Sequence, residues 1–356
     1  MRLVVIGGVA AGLSAAARAR RIDRSLEITV LEKGELISFS ACGLPYFIEG
    51  RVASLGELNV YSAAHFERER NIRVRTGAEV VAIAHPRREV ILDGGEKVRY
   101  DRLVIATGAR PDLTGIAGLP QPHVFTLHTP EDARRLREFL VANRPRRAGV
   151  IGAGYIGLEA VEALRTHGLA VTLFEASGNV AGRNDALLVG ALTEHLKRFR
   201  VDFRPHQAVR ALEPDCVAGV PCDLIVLAAG LKPNAELAQE AGVDIGRTGA
   251  IGVTDRMETN LSGVYAAGDC AEATHVVTGG PVWIPLGTTA NKMGRVAGAN
   301  AAGARERFPG VVGTSIVRVC GLGVGFTGLS LTQARAEGFD AVSASISALD
   351  HPRYFR

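Results

Sequence analysis

A doubly wound α/β fold is predicted by three features of the sequence. Two strand–turn–helix–strand openings stand at residues 2–32 and 147–175, and several short apolar runs elsewhere each end in a glycine turn. The first opening reads as strand Leu3-Val4-Val5-Ile6, turn Gly7 to Gly12, helix Leu13 to Arg21 and strand Glu27 to Leu31, with Glu32 at its end. The second repeats the plan: strand Ala148 to Ile151, turn Gly152 to Gly157, a helix to about His167, and strand Ala170 to Phe174 ending at Glu175. This is a duplication of architecture, not a short-period repeat.

The remaining elements follow in order. Residues 33–100 hold a segment around Cys42, a helix near 63–70, and strands around 72–84 and 90–100. Stretches 101–109 and 223–234 read as buried strands running into glycine turns, and 263–270 as a strand ending at Gly268-Asp269. A helix follows at about 288–302, and from Pro309 a further strand-rich piece begins.

Composition bounds the function. Apolar residues at 47% and charged residues at 22% describe a soluble globular chain of two or three domains. The 42 glycines exceed the usual share of roughly 7%, as expected where backbone must approach phosphate. A net charge of +4 without a basic run argues against nucleic acid as a partner. The N-terminal apolar run breaks at Gly7-Gly8, unlike a signal peptide, and no stretch approaches the roughly 20 apolar residues of a membrane span. Five dispersed cysteines with no CxxC fit neither a disulfide framework nor a metal site, and a reducing cytoplasm is the expected location.

The two turns carry the first chemistry. Gly7 permits a tight turn, Gly8 a close approach to pyrophosphate, and Gly12 close helix–strand packing, although Val9 stands at the third position, where the G-x-G-x-x-G pattern has glycine. The following helix N-terminus offers unpaired N–H groups to phosphate, and Glu32 a carboxylate to ribose hydroxyls. Gly152, Gly154 and Gly157 match the full pattern. Glu175 favours a free 2′-hydroxyl over a 2′-phosphate, and Ala176-Ser177-Gly178 supplies no arginine, so NADH is expected in preference to NADPH. The chain therefore reads as two Rossmann-like dinucleotide-binding domains. Two nucleotides imply a relay from nicotinamide to a second carrier, for which a flavin is the natural choice. Asp269, at a strand end, is placed to bond the ribityl chain of FAD.

Cys42 lies in Ser38-Phe39-Ser40-Ala41-Cys42-Gly43-Leu44-Pro45-Tyr46, soon after Glu32, so its loop can run along the flavin. A helix dipole and a nearby arginine are expected to lower its pKa and make the thiolate nucleophilic. Cys270 reads as packing, and Cys216, Cys222 and Cys320 form no constellation. Ser14, Arg18 and Arg21 recur at i, i+4 and i+7 and share a helix face, where two arginines could grip the phosphates of a nucleotide-like substrate such as CoA; a solvated surface face would look the same.

These residues, with Ala106-Thr107-Gly108, Val264 to Asp269 and Pro285 to Lys292, resemble the single-cysteine branch of the pyridine nucleotide-disulfide oxidoreductases over almost the whole chain. The resemblance implies a glutathione-reductase-like arrangement: a FAD-binding domain at 1–112 and 250–308, an NAD(P)H-binding domain at 113–249, and a partial α+β C-terminal dimerisation domain at 309–356 that is apparently incomplete. It implies cofactor contacts at Gly7, Gly8, Ala11, Gly12, Glu32, Lys33, Thr107, Gly108, Gly152, Gly154, Tyr155, Ile156, Gly157, Glu175, Gly230, Gly268, Asp269, Thr289 and Ala290. It further implies Cys42 as the catalytic residue, substrate contacts at Ser14, Arg18, Arg21, Ser38 and Arg70, and a homodimer.

Cys42 would then cycle through a mixed disulfide or a sulfenic acid. The chain departs from the family at Ala41, where asparagine is common, and Tyr354 aligns only loosely with a dimer-domain tyrosine. The expected function is NAD(P)H-dependent reduction, through FAD and Cys42, of a disulfide or persulfide, CoA disulfide foremost. The competing readings are an NADH oxidase or peroxidase, a flavin reductase serving a protein partner such as ferredoxin or rubredoxin, and a redox sensor without turnover.

Overall fold

A computed structural model describes residues 1–349 and 354. Two five-stranded, wholly parallel sheets organise it. The first runs Val264–Ala266, Arg102–Ile105, Arg2–Ile6, Glu27–Leu31, Arg73–Arg75 across its width. The second runs Val201–Arg204, Ala170–Phe174, Arg147–Ile151, Leu224–Leu227, Val124–Thr126. In each sheet the strand that opens the unit is central and the chain leaves it in both directions. The crevice at its carboxyl end is therefore the topological switch point where such sheets hold ligands.

The described helices are α1 (Ala10–Ile22), α2 (Leu44–Glu49), α3 (Ala63–Arg70), α4 (Pro130–Asn143), α5 (Tyr155–Thr166), α6 (Ala186–Arg198), α7 (Glu236–Glu240), α8 (Gly287–Ala301) and α9 (Leu331–Ala336). Helix α1 starts three residues before its expected position, because the turn Gly7-Gly8-Val9 needs no more chain to redirect the backbone. The stretch expected as one strand over 72–84 is two, Arg73–Arg75 and Val80–Ala84, and the second belongs to a separate antiparallel sheet with Glu89–Leu92 and Lys97–Arg99. The sequence reading gave no element to 130–143, yet Thr129 opens α4 with a full capping box closed by Asp132.

Helix α8 lies across α1 at backbone contact. A Cβ at Gly294 would stand 2.2 Å from the Ala11 carbonyl oxygen, and one at Gly298 2.0 Å from that of Ala15. Small residues on both helices let the axes approach closely enough to bring the start of α8 to the first nucleotide turn.

The piece after Pro309 is an antiparallel hairpin, Ser315–Val319 with Leu322–Phe326, followed by α9. Val317, Val319 and Val324 pack into the core of the second sheet together with Leu44, Phe47 and Ile48 of α2. The helix that follows Cys42 is thus seated on the second unit, while its loop departs from the first. Tyr354 is exposed.

Gly298→Ala should destabilise the fold by about 2–3 kcal/mol through overpacking against α1, read as a lower urea midpoint with unchanged slope.

Candidate active site

The first turn is built by close contact. Gly7 has φ +105°, and a Cβ on it would stand 2.2 Å from the Ala106 carbonyl oxygen; one on Gly12 would stand 1.9 Å from that of Gly7. The second turn repeats both distances: Gly152 at φ +104° faces Ala228 at 2.2 Å, and Gly157 faces Gly152 at 1.9 Å. Only hydrogen fits at these places, and the result points each helix N-terminus at the crevice. Glu32 accepts from the Gly8 N–H (2.6 Å) and the Gly34 N–H (2.8 Å). Glu175 accepts from the Ala153 N–H (2.9 Å), the Ser177 N–H (2.8 Å) and the Ser177 hydroxyl (2.7 Å). The duplication read in the sequence extends to these hydrogen bonds.

A cavity of about 950 Å³ joins the two turns. Of the residues expected at the site it is lined by Ala11, Cys42, Gly108, Tyr155, Ile156, Asp269 and Ala290. Cys42 sits in the 3-10 turn Ala41–Gly43 ahead of α2 and is exposed to this cavity, while Cys222, Cys270 and Cys320 are buried and Cys216 lies on a distant hairpin. Asp269 also faces the cavity. Its backbone carbonyl is held by the Trp283 indole N–H at 2.8 Å, and no described residue bonds its carboxylate, whose pKa burial pushes up to about 6. A half-buried carboxylate without a partner among the described residues, beside glycines that leave no room for a side chain, fits a hydroxyl-rich dinucleotide whose phosphates would meet the α1 N-terminus.

Several expectations require correction. The Cys42 thiol is not activated by the chain: burial, Glu159 and Asp269 raise its pKa against a lowering by its own backbone. The charges reaching it are carboxylates and not the expected arginine, and α2 has only six residues. Arg18 does not join Ser14 and Arg21. Residues seven apart on a helix differ by only about 20° in direction and residues four apart by about 40°, which turns Arg18 toward 303–308, where it pairs with Glu306. Thr107 turns away from the cavity and donates to the Asn234 carbonyl at 2.7 Å. Lys33 is exposed, and Gly230 and Thr289, like the turn glycines Gly7, Gly8, Gly12, Gly152, Gly154 and Gly157, do not line the cavity. Arg204, on the strand beside Glu175, lies nearer the second turn than the sequence suggested, but its guanidinium is held by Asp202 at 2.9 Å.

A second cavity, of about 450 Å³, lies against α1 and shares Val9, Ala10 and Phe39 with the first. Ser14, Arg21, Ser38 and Arg70 line it together, joined by Tyr61, Asn291 and Arg295, which sequence reasoning missed. Asn291 donates to the Ser14 hydroxyl at 2.8 Å, and Arg70 lies over Tyr61, 5.5 Å from its ring centroid. The spacing of Asn291 and Arg295 at i, i+4 marked a polar face of α8, but only the α1–α8 contact turns that face toward Arg21. Glu159 was also missed. It follows Tyr155 by one helical turn and lines the main cavity with it.

The family model described as pyridine nucleotide-disulphide oxidoreductase matches residues 1–303. The chain belongs to that family. The family is FAD-dependent and uses NAD(P)H. The chain is 40% identical over 363 aligned positions to an NAD(P)H sulfur oxidoreductase (CoA-dependent) of Pyrococcus abyssi, covering 99% of this chain and 81% of the relative. A solved NAD-dependent persulfide reductase from A. fulgidus superimposes with TM-score 0.90 at 40% identity, covering 96% of this chain and 66% of the other. This chain thus spans slightly less than two thirds of that structure's chain. The water-forming NADH oxidase from Lactobacillus brevis gives TM-score 0.92 at 27% identity, with 100% and 81% covered. Among the described residues, no helix is long and apolar enough to cross a membrane.

The raised carboxyl of Asp269 has a consequence for stability without flavin. Its ordinary value near 3.8 becomes about 6 in the fold, so the folded chain binds the proton more tightly. Stability is unaffected below about pH 4, falls between pH 4 and 6 as only the unfolded chain ionises, and stays reduced above pH 6. Asp269→Asn should therefore stabilise the apoprotein by about 1–3 kcal/mol at pH 8 and hardly at all at pH 4, measured by urea denaturation at both.

Proposed function

We propose that this chain uses NADH to reduce a disulfide or persulfide of CoA type at Cys42. The observation that carries the reading is the adjacency of two cavities: the one that joins both nucleotide turns also holds Cys42, and the arginine-lined one shares Val9, Ala10 and Phe39 with it. On this reading residues 1–112 with 250–308 hold FAD and 113–249 hold the nicotinamide nucleotide. Bound FAD supplies a two-electron relay between nicotinamide and sulfur.

The chain's own groups do the rest. Glu32 and Glu175 accept ribose hydroxyls, and the helix N-termini at the two turns face the pyrophosphates. Glu175 keeps the second site suited to NADH, since a 2′-phosphate would meet its carboxylate while Arg204 is engaged by Asp202. Arg21, Arg70 and Arg295 bind the phosphates of a CoA moiety. The pantetheine arm then runs past Phe39 and brings its terminal sulfur to Cys42. The Cys42 thiolate attacks that sulfur, one S–S bond breaks as another forms, and the departing sulfur takes up a proton. Net reaction of a disulfide RSSR with NADH and a proton yields two thiols and NAD+. The likeness to persulfide-reducing and CoA-dependent sulfur-reducing relatives supports this substrate class.

Cys42→Ser should lower anaerobic NADH oxidation with CoA disulfide or CoA persulfide at least about 100-fold while NADH-driven reduction of ferricyanide persists. Full activity in that variant would overturn the reading in favour of electron transfer to a protein acceptor. Sulfur substrates inert beside rapid oxygen consumption would favour an oxidase. NADH should exceed NADPH in kcat/KM at least about tenfold. Arg21→Ala and Arg295→Ala should each raise KM for CoA disulfide about 10-fold or more, and Arg18→Ala by less than about threefold, by steady-state kinetics.

A further inference from the structure

The turn that carries Cys42 runs without a break into α2. The Leu44 N–H donates to the Ala41 carbonyl, so the 3-10 turn Ala41–Gly43 and the helix Leu44–Glu49 are one hydrogen-bonded piece. Ahead of it the Ser40 N–H donates to the Leu58 carbonyl at 2.9 Å, and Gly43 packs so closely on the Leu58 side chain that no Cβ would fit. Leu58 thus pins the turn on one side. On the other, the direction of Cys42 follows the axis of α2.

The second unit holds that axis. Arg137 of α4 lies over Phe47, 4.4 Å from its ring centroid, and the His167 Nε2–H donates to the Ile48 carbonyl at 2.6 Å. Arg318 makes a contact of another kind. Along Ser315–Val319 the side chains alternate, so Val317 and Val319 enter the core while Arg318 between them reaches α2 and α5. One terminal nitrogen meets Glu49 at 3.1 and 3.2 Å and Glu162, on α5, at 2.9 Å, and the guanidinium lies 5.2 Å from the Tyr46 ring centroid. Both carboxylates are buried. Glu49 has a second cation in Arg51 at 2.6 Å, whereas among the described residues Glu162 pairs with Arg318 alone. Two buried like charges, one on each helix, would drive α2 off α5; a shared cation turns the repulsion into a clamp.

We propose that Arg318 is a positioning residue for Cys42: by bridging Glu49 and Glu162 it fixes α2 on α5, and with it the direction in which the sulfur faces the cavity. This rests on the reading of Cys42 as the reacting sulfur. Thiol–disulfide exchange needs the attacking sulfur in line with the bond that breaks, and a displacement of about 1 Å can cost on the order of 100-fold in rate. The C-terminal hairpin thereby belongs to the sulfur site.

The test separates position from stability. Arg318→Met should lower kcat with CoA disulfide, taken per bound flavin, about 10-fold or more, while KM stays within about twofold because the arginines of the second cavity are untouched. NADH-driven reduction of ferricyanide, which bypasses the sulfur, should stay within about twofold. Arg318→Lys should keep kcat within about threefold, since one terminal nitrogen makes both ion pairs and an ammonium can do the same. Arg318→Met combined with Glu162→Gln removes the orphaned buried charge, so its urea midpoint should return toward wild type while kcat stays low. Recovery of kcat together with the midpoint in that double variant would overturn the proposal, as would a wild-type kcat in Arg318→Met or an equal loss in Arg318→Lys. If Arg318→Met does not fold, the double variant and Arg318→Lys decide by themselves. The reading of Cys42 fails separately, if Cys42→Ser keeps its sulfur reductase activity.

Discussion

The close packing of each glycine turn against its own helix is the constraint on which the rest of the site depends. At Gly12 and Gly157 a Cβ would stand 1.9 Å from the carbonyl oxygen that begins the turn. Nothing larger than hydrogen allows the helix to start there, and a displaced helix would aim its N–H groups away from the crevice. The same approach lets Gly8 and Ala153 donate to the carboxylates at the ends of the neighbouring strands, so the position of the helix and the orientation of Glu32 and Glu175 are one event.

The segment from Cys42 to Glu49 couples the two units. Its loop leaves the first sheet, yet Leu44, Phe47 and Ile48 are buried in the core of the second. Cys42 therefore stands on the cavity that joins the two nucleotide turns without belonging wholly to either unit. The C-terminal hairpin is part of the same arrangement. Arg318 reaches both α2 and α5, and the Tyr155 hydroxyl lies 2.7 Å from that of Ser315 while its ring stacks on Phe326 at 5.7 Å. Removing buried Glu49 and Glu162 from water is costly, and the shared guanidinium offsets this only in the assembled geometry.

Charge is divided between the cavities. The second cavity gathers Arg21, Arg70 and Arg295, and Arg21 meets the like charges of Arg18, Arg295 and Arg70, an unfavourable arrangement that an anionic ligand would relieve. The cavity around Cys42 instead carries unpaired carboxylates, Asp269 and Glu159, that sit uneasily in a poorly solvated place. Both are marks of a site shaped for ligands at some expense to the free chain.

The fold was largely legible because its determinants are local. Continuous apolar runs, glycine turns and a terminal glutamate recur twice, and each needs only neighbours in sequence to be understood. The same holds for Cys42, Asp269 and the faces of α1. The chain by itself therefore determined the two nucleotide-binding units and the FAD and NAD(P)H they call for. Tertiary structure alone decided which side chains meet across separate elements. Arg18 was lost to Glu306, 288 residues away; Arg295 was gained when α8 settled on α1; and Glu159 became an acid that holds its proton because burial, Glu162 and Glu49 together outweigh Arg318. Electrostatic environment depends on burial and on charges brought near through space, and neither is written in the spacing of residues along the chain.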